Sequence, residues 1–152
     1  MRLQAEDLRR MGEIVAERYL DKHAFVNLRK DVRRIYRAYD GIKEQYHNYP
    51  YMSRDWYVAN SVDKTHMCTS WDELRRLVEF LSMHGEHFDF MVKDDEQTIF
   101  YVITLGNELS YELKNAVQAA RDAGYSVHVF RVDVPENIEF KMVEVTGASR
   151  KR

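Results

Sequence analysis

A chain of 152 residues with 45% hydrophobic side chains is long enough for one packed core, and that apolar share excludes wholesale disorder. Its 23 basic and 25 acidic residues give a formal net charge of -2, which excludes coating nucleic acid by bulk charge alone but leaves room for a local basic face. No run of about 18 apolar residues spans a membrane, the single cysteine, Cys68, has no partner for an internal disulfide, and no charged-then-apolar leader follows Met1, so a reducing cytoplasm is the expected compartment.

Leu3, Leu8, Met11, Ile14 or Val15, and Tyr19 recur at helical spacing among charges, predicting a first helix from Arg2 to about Leu20. A second helix is predicted from Ala24 to Tyr46 on the stripe of Leu28, Val32, Ile35, Tyr36, Tyr39 and Ile42, ending or bending at Gly41. From His47 to Ser70 the periodicity lapses. His47-Asn48-Tyr49-Pro50-Tyr51 reads as a turn, and Asp55 to Val62 fits a short strand or a helical turn. Ser70 and Glu73 have the spacing of a capping box. A helix is predicted from Trp71 to Met83, with Leu74, Leu77, Val78 and Leu81 buried and Gly85 as its stop.

His87 to Lys93 alternates, placing Phe88, Phe90 and Val92 on one side of a strand. Asp94 to Gln97 makes a polar turn, and Thr98 to Leu105 is apolar on both faces, as a central strand would be. After Gly106-Asn107 a helix is predicted from Glu108 to Ala123, with Leu109, Leu113, Ala116, Val117 and Ala120 inward and Gly124 closing it. Tyr125 to Val134 is a further strand, Pro135-Glu136-Asn137 turns the chain, Phe140 to Val145 offers a last, edge strand, and Arg150-Lys151-Arg152 is a mobile tail. The short turn after Asp94 implies an antiparallel hairpin, and the next helix a right-handed crossover to a parallel strand. The predicted fold is α+β in a single domain. An N-terminal helical part, 1–47, packs on a small mixed sheet belonging to an α/β core, 70–146, with helices from Trp71 and Glu108 flanking it and a tail over 147–152.

Phe88-Asp89-Phe90, Tyr101-Val102-Ile103-Thr104, Leu109-Ser110 ahead of a helix, and Ala123-Gly124-Tyr125-Ser126-Val127-His128-Val129-Phe130-Arg131 after it form a series. It resembles the core of the PD-(D/E)xK nucleases, particularly the small VRR type, over about a third of the chain. The resemblance implies one carboxylate near the start of the hairpin and, on the next strand, an acid and a lysine two apart. The acids would hold Mg²⁺ and the lysine would position or activate water. Asp89 keeps the first carboxylate, but Val102 stands where the second acid belongs and Thr104 where the lysine belongs. Glu108 or Glu112, at the start of the following helix, could supply a migrated acid. Taken by itself, Asp89 reads as a solvated residue on the polar face of an amphipathic strand.

Arg29, Arg33 and Arg37 lie four apart, with Lys30 and Arg34 beside them, so on a helix the five form one positive face. Two readings stand. One is a phosphate-contacting surface, with Tyr36 and Tyr39 close enough to stack on bases. The other is a solvated face, with the tyrosines in the core and the arginines paired to acids elsewhere. His66, Cys68, His84 and His87 match no zinc spacing, and a Cys68–histidine nucleophile has no supporting pattern. No glycine-rich phosphate loop or other catalytic signature occurs, so neither metal nor cofactor is expected. The expected function is a non-catalytic binding or regulatory protein on a degenerate nuclease-like core. Its partner would be nucleic acid or a protein of a nucleic-acid-processing complex, and by analogy it would be a phage-type accessory or inhibitor. The alternatives are an active metal-dependent nuclease with a relocated acid, and a purely protein-binding module that uses its tyrosines.

Overall fold

Each helix begins where a polar side chain takes up a free amide at its entry, as the computed structural model shows for residues 3–21, 25–61, 68–94, 97–106, 108–133 and 141–145. The architecture is α+β, as the sequence predicts: five α-helices and a four-stranded mixed sheet among the described residues.

Helix α1 (Ala5–Tyr19) starts with the Asp7 carboxylate accepting from the Gln4 amide at 3.1 Å. Its buried face differs from the predicted stripe. Gly12 and Ala16 are buried along with Leu20 just past the helix end, whereas Ile14, Val15 and Tyr19 are 51, 65 and 66% exposed. Close approach explains this: a Cβ on Gly12 would overlap Val132 Cγ2 and come within 3.0 Å of Ile103 Cγ2, so the face of smallest side chains turns to the sheet.

The second helix starts later than Ala24, which lies outside the described residues. Phe25–Asn27 form a short strand, β1, and helix α2 spans Leu28–Asn48. Asn27 ends the strand and caps the helix, its side-chain oxygen accepting from the Arg29 amide at 3.1 Å. Helix α2 continues through Gly41, which is exposed with open space beside it, so the helix does not end there. The ambiguous stretch resolves as a helix, α3 (Arg54–Ala59), with Ser53 Oγ accepting from Trp56 N at 3.1 Å.

Helix α4 (Trp71–His84) starts as predicted, with Ser70 Oγ accepting from Glu73 N at 3.1 Å. The Glu73 carboxylate, however, reaches back to Thr69, accepting from its amide at 3.1 Å and its hydroxyl at 3.0 Å. A 3₁₀ turn at Gly85–His87 leads into strand β2 (Phe90–Asp94), and strand β3 (Gln97–Thr104) returns beside it. Helix α5 (Tyr111–Asp122) begins later than Glu108 because Ser110 is the residue that caps Leu113 N, at 3.1 Å. Gly124, at φ 90°, turns the chain into strand β4 (Ser126–Arg131).

The sheet order is β1-β2-β3-β4. The first two pairings are antiparallel, and β4 runs parallel to β3 in register from Ile99↔Ser126 to Thr104↔Arg131. Strand β3 is central and buried on both faces. Phe100 and Val102 join the larger core with Leu74, Leu77 and Val117, while Ile99, Tyr101 and Ile103 meet Ala16, Leu20, Phe90 and Val92 on the other side. Phe88 packs in the larger core with Met91, not beside Phe90 and Val92 as the alternation predicted, because it precedes the strand at the end of the 3₁₀ turn. Residues 141–145 form no strand and are exposed, so burial does not offset the entropy of ordering them. Phe140 and the Arg150–Arg152 tail lie outside the described residues.

Candidate nucleic-acid interface

Asp89 sits where the start of β2, the end of β3 and the start of α2 converge. It is 1% exposed, which corrects the expectation of a solvated residue. Its Oδ2 accepts from Ile103 N at 2.8 Å, its Oδ1 accepts from Arg29 Nε, and Arg9 Nη2 lies 3.5 Å from the same oxygen. The backbone is used too: Asp89 N donates to Tyr101 O and Leu28 N donates to Asp89 O, both at 2.9 Å. A carboxylate this far from water requires such partners, since burying it unpaired would cost several kcal/mol.

Those partners also decide what the site can do. Arginine already fills the place of a cation beside Asp89. Val102 is 2% exposed and packed in the larger core, and the Thr104 hydroxyl lies 3.3 Å from Gly106 O and 3.4 Å from Gly106 N. Glu108 and Glu112 are exposed, and no bond or ion pair joins either to Asp89. Among the described residues no group of three or more His, Cys, Asp or Glu side chains is placed to hold a metal ion. The residues at this locus therefore do not fit the Mg²⁺ that the nuclease resemblance implies.

One turn along α2 the charges change character. Lys30, Arg33, Arg34 and Arg37 are exposed, and none of them makes an ion pair among the described residues. Arg29 stands apart from this set, because Asp89 and Glu13, the latter at 3.6 Å, hold its guanidinium. Tyr36 and Tyr39 are half-buried against the core, not free to meet a base. Burial pushes the Tyr36 hydroxyl above its ordinary pKa, and the Tyr39 ring stacks on Trp71 with centroids 4.9 Å apart and planes 7° off parallel.

A cluster of exposed rings lies where the sequence showed a turn and an undecided short element. Tyr49, Tyr51 and Trp56 are 60, 84 and 43% exposed, just beyond the C-terminal end of α2. Arg54 lies over the Tyr46 ring at 4.0 Å from its centroid. The clustering of Tyr46, Tyr49, Tyr51, Trp56 and Tyr57 was the available signal.

Compared with known proteins, the chain matches no family model, no curated protein and no solved structure.

Cys68, His84 and His87 are engaged elsewhere. Burial, helped by the Glu73 carboxylate and opposed by Lys93, pushes the Cys68 thiol up to about 12, so it stays protonated at neutral pH and is a poor nucleophile. His84 packs on Phe80 with centroids 5.2 Å apart, His87 lies 3.5 Å from Glu86, and His66 lies outside the described residues. A polar cleft of about 730 Å³ runs between the start of α4 and the hairpin, but its buried cation, Lys93, is paired with Glu73. Burial opposes ionisation of Glu73, yet Lys93 and the two Thr69 donors outweigh it and hold that carboxyl below its ordinary range.

Proposed function

We propose that this protein binds nucleic acid without cleaving it, through the exposed face of α2, as an accessory or regulatory component of a nucleic-acid-processing complex. The observation that carries the reading is the set of Lys30, Arg33, Arg34 and Arg37, four exposed cations with no acidic partner among the described residues. Arg75, by contrast, is neutralised by Asp72 and Glu79. A run of unneutralised cations along one helix instead concentrates a positive field that phosphates can follow. The absence of turnover is supported by Asp89, whose carboxylate is committed to Arg29 and Ile103, and by the apolar burial of Val102.

The test is a salt series. Replacing Lys30, Arg33, Arg34 and Arg37 with Gln removes four charges from an exposed face and should leave the fold intact. Binding should weaken, and the log–log salt slope should flatten by roughly 0.9 for each lost duplex phosphate contact. The losses should be similar across sequences, because phosphate contacts carry no base information. Native protein that binds no nucleic acid at low salt, or that cleaves it with Mg²⁺ or Mn²⁺ in an EDTA-sensitive way, would overturn the proposal.

A further inference from the structure

We infer that the aromatic surface formed by the turn after α2 and by α3 stacks the bases of a single strand whose phosphates follow the basic face of α2. The inference rests on the nucleic-acid reading of that helix and narrows it to single-stranded substrates.

Tyr49, Tyr51 and Trp56 present large rings to water within a few residues of one another, with Met52, 43% exposed, between them. The platform is held rather than loose. The Tyr57 hydroxyl donates to the Tyr49 carbonyl, and Trp56 packs edge-on against Tyr57 with centroids 5.3 Å apart and planes at 87°. Ser53 caps α3, and Asp55 Oδ1 accepts from Trp71 N at 2.7 Å, tying the short helix to α4. A ring fixed as Trp56 is loses little entropy when a flat partner stacks on it.

Tyr, Trp and Arg also serve as anchors for protein partners. Adjacency to the basic face favours nucleic acid. The platform begins where α2, the helix that carries that face, ends, and the ten or so residues from Arg37 to that end rise ~15 Å, the span of a few nucleotides. At that end a cleft of about 680 Å³ is lined by Lys43, His47 and Arg54, with Asp40 and Glu44 on its α2 wall. Those two carboxylates repel phosphate and can accept from the amino groups of bases. The surface thus changes along α2 from one suited to a backbone to one suited to bases. A duplex hides its base faces inside the stack, whereas a single strand offers them.

Labelled single-stranded DNA and RNA of about 12 nucleotides, and the matching duplex, would be titrated against native protein, Tyr51→Ala, Tyr51→Phe, Trp56→Ala and the quadruple Gln variant, since such sites cover a few to sixteen nucleotides. Native protein should prefer the single strand. Tyr51→Ala should weaken single-strand binding roughly five- to hundredfold while leaving its salt slope and duplex binding unchanged. Tyr51→Phe should bind like native. Tyr51 is 84% exposed, so its variants should melt like native protein and affinity changes will not reflect unfolding. Native-like single-strand binding by both Ala variants, with weakened binding by the Gln variant, would sink the aromatic inference and leave the α2 reading standing. Equal loss for duplex and single strand in Tyr51→Ala would also sink it. No binding by native protein would end both readings and leave the surface to a protein partner.

Discussion

At Asp89 a buried carboxylate, two guanidiniums and a strand amide meet within one side chain's reach. The carboxylate is the buried member of the pair, since Arg29 is 39% exposed and also reaches Glu13. Asp89→Ala should therefore cost on the order of 2 kcal/mol, mostly through the buried Ile103 amide left without an acceptor. Asp89→Asn, which keeps an acceptor for that amide, should cost clearly less. Arg9→Ala should cost under ~1 kcal/mol, since Arg9 is 37% exposed and 3.5 Å away. Urea denaturation of the three variants checks the ranking, and a native-like midpoint for Asp89→Ala would show that the cluster is not formed. Any activity lost on mutating Asp89 has to be weighed against this cost before it is attributed to chemistry.

Two glycines separate close approach from mere tolerance at the scale of the helix. Both sit inside helices, where Gly is about 1 kcal/mol less favourable than Ala. Gly41 faces open space, so Gly41→Ala should stabilise the protein by up to that amount. A methyl on Gly12 would overlap Val132 and press on Ile103, and overpacking of this sort costs about 1–3 kcal/mol, so Gly12→Ala should be net destabilising. Opposite shifts in Tm measure the contrast, and stabilisation by both would mean that α1 does not lie so close to the sheet. The same pair shows what could be read from sequence. Periodicity located α4, β3 and α5 because burial there follows spacing. It misassigned the face of α1, where the nearness of β3 puts Gly12 and Ala16 inward in preference to Ile14 and Val15, and it could not see β1, three residues adjoining the α2 pattern. At the candidate interface the α2 cations were legible as a stripe. The burial of Asp89 was not, because its partners lie 60 positions away at Arg29 and 14 away at Ile103. Tyr36 and Tyr39 stood out because they lie on a helix, yet the rings exposed near the end of α2 belong to the turn and to the six-residue α3, too short for periodicity to find.

At the scale of the molecule, the sheet divides the described interior into two apolar clusters, one beneath α1 and a larger one against α2, α4 and α5. Strands follow one another in space as they do in sequence, but the spacing is uneven. Strands β2, β3 and β4 with α5 all lie between Phe90 and Arg131, whereas β1 joins from far away, Phe25 opposite Val92 and Asn27 opposite Phe90. Closing a long loop consumes entropy before its contacts form, so the β2–β3–α5–β4 unit can assemble first and the α1–β1 layer dock afterwards. The time order has an equilibrium counterpart, because a layer that docks late is also one that can lift off without global unfolding. Native-state hydrogen exchange should find the amides of Phe100 and Val102 protected up to the global unfolding free energy, and that of Val26 released in a cheaper opening. Equal protection at the two places would mean that the protein folds and opens as one unit, with its N-terminal sixth as essential to the first step as the hairpin.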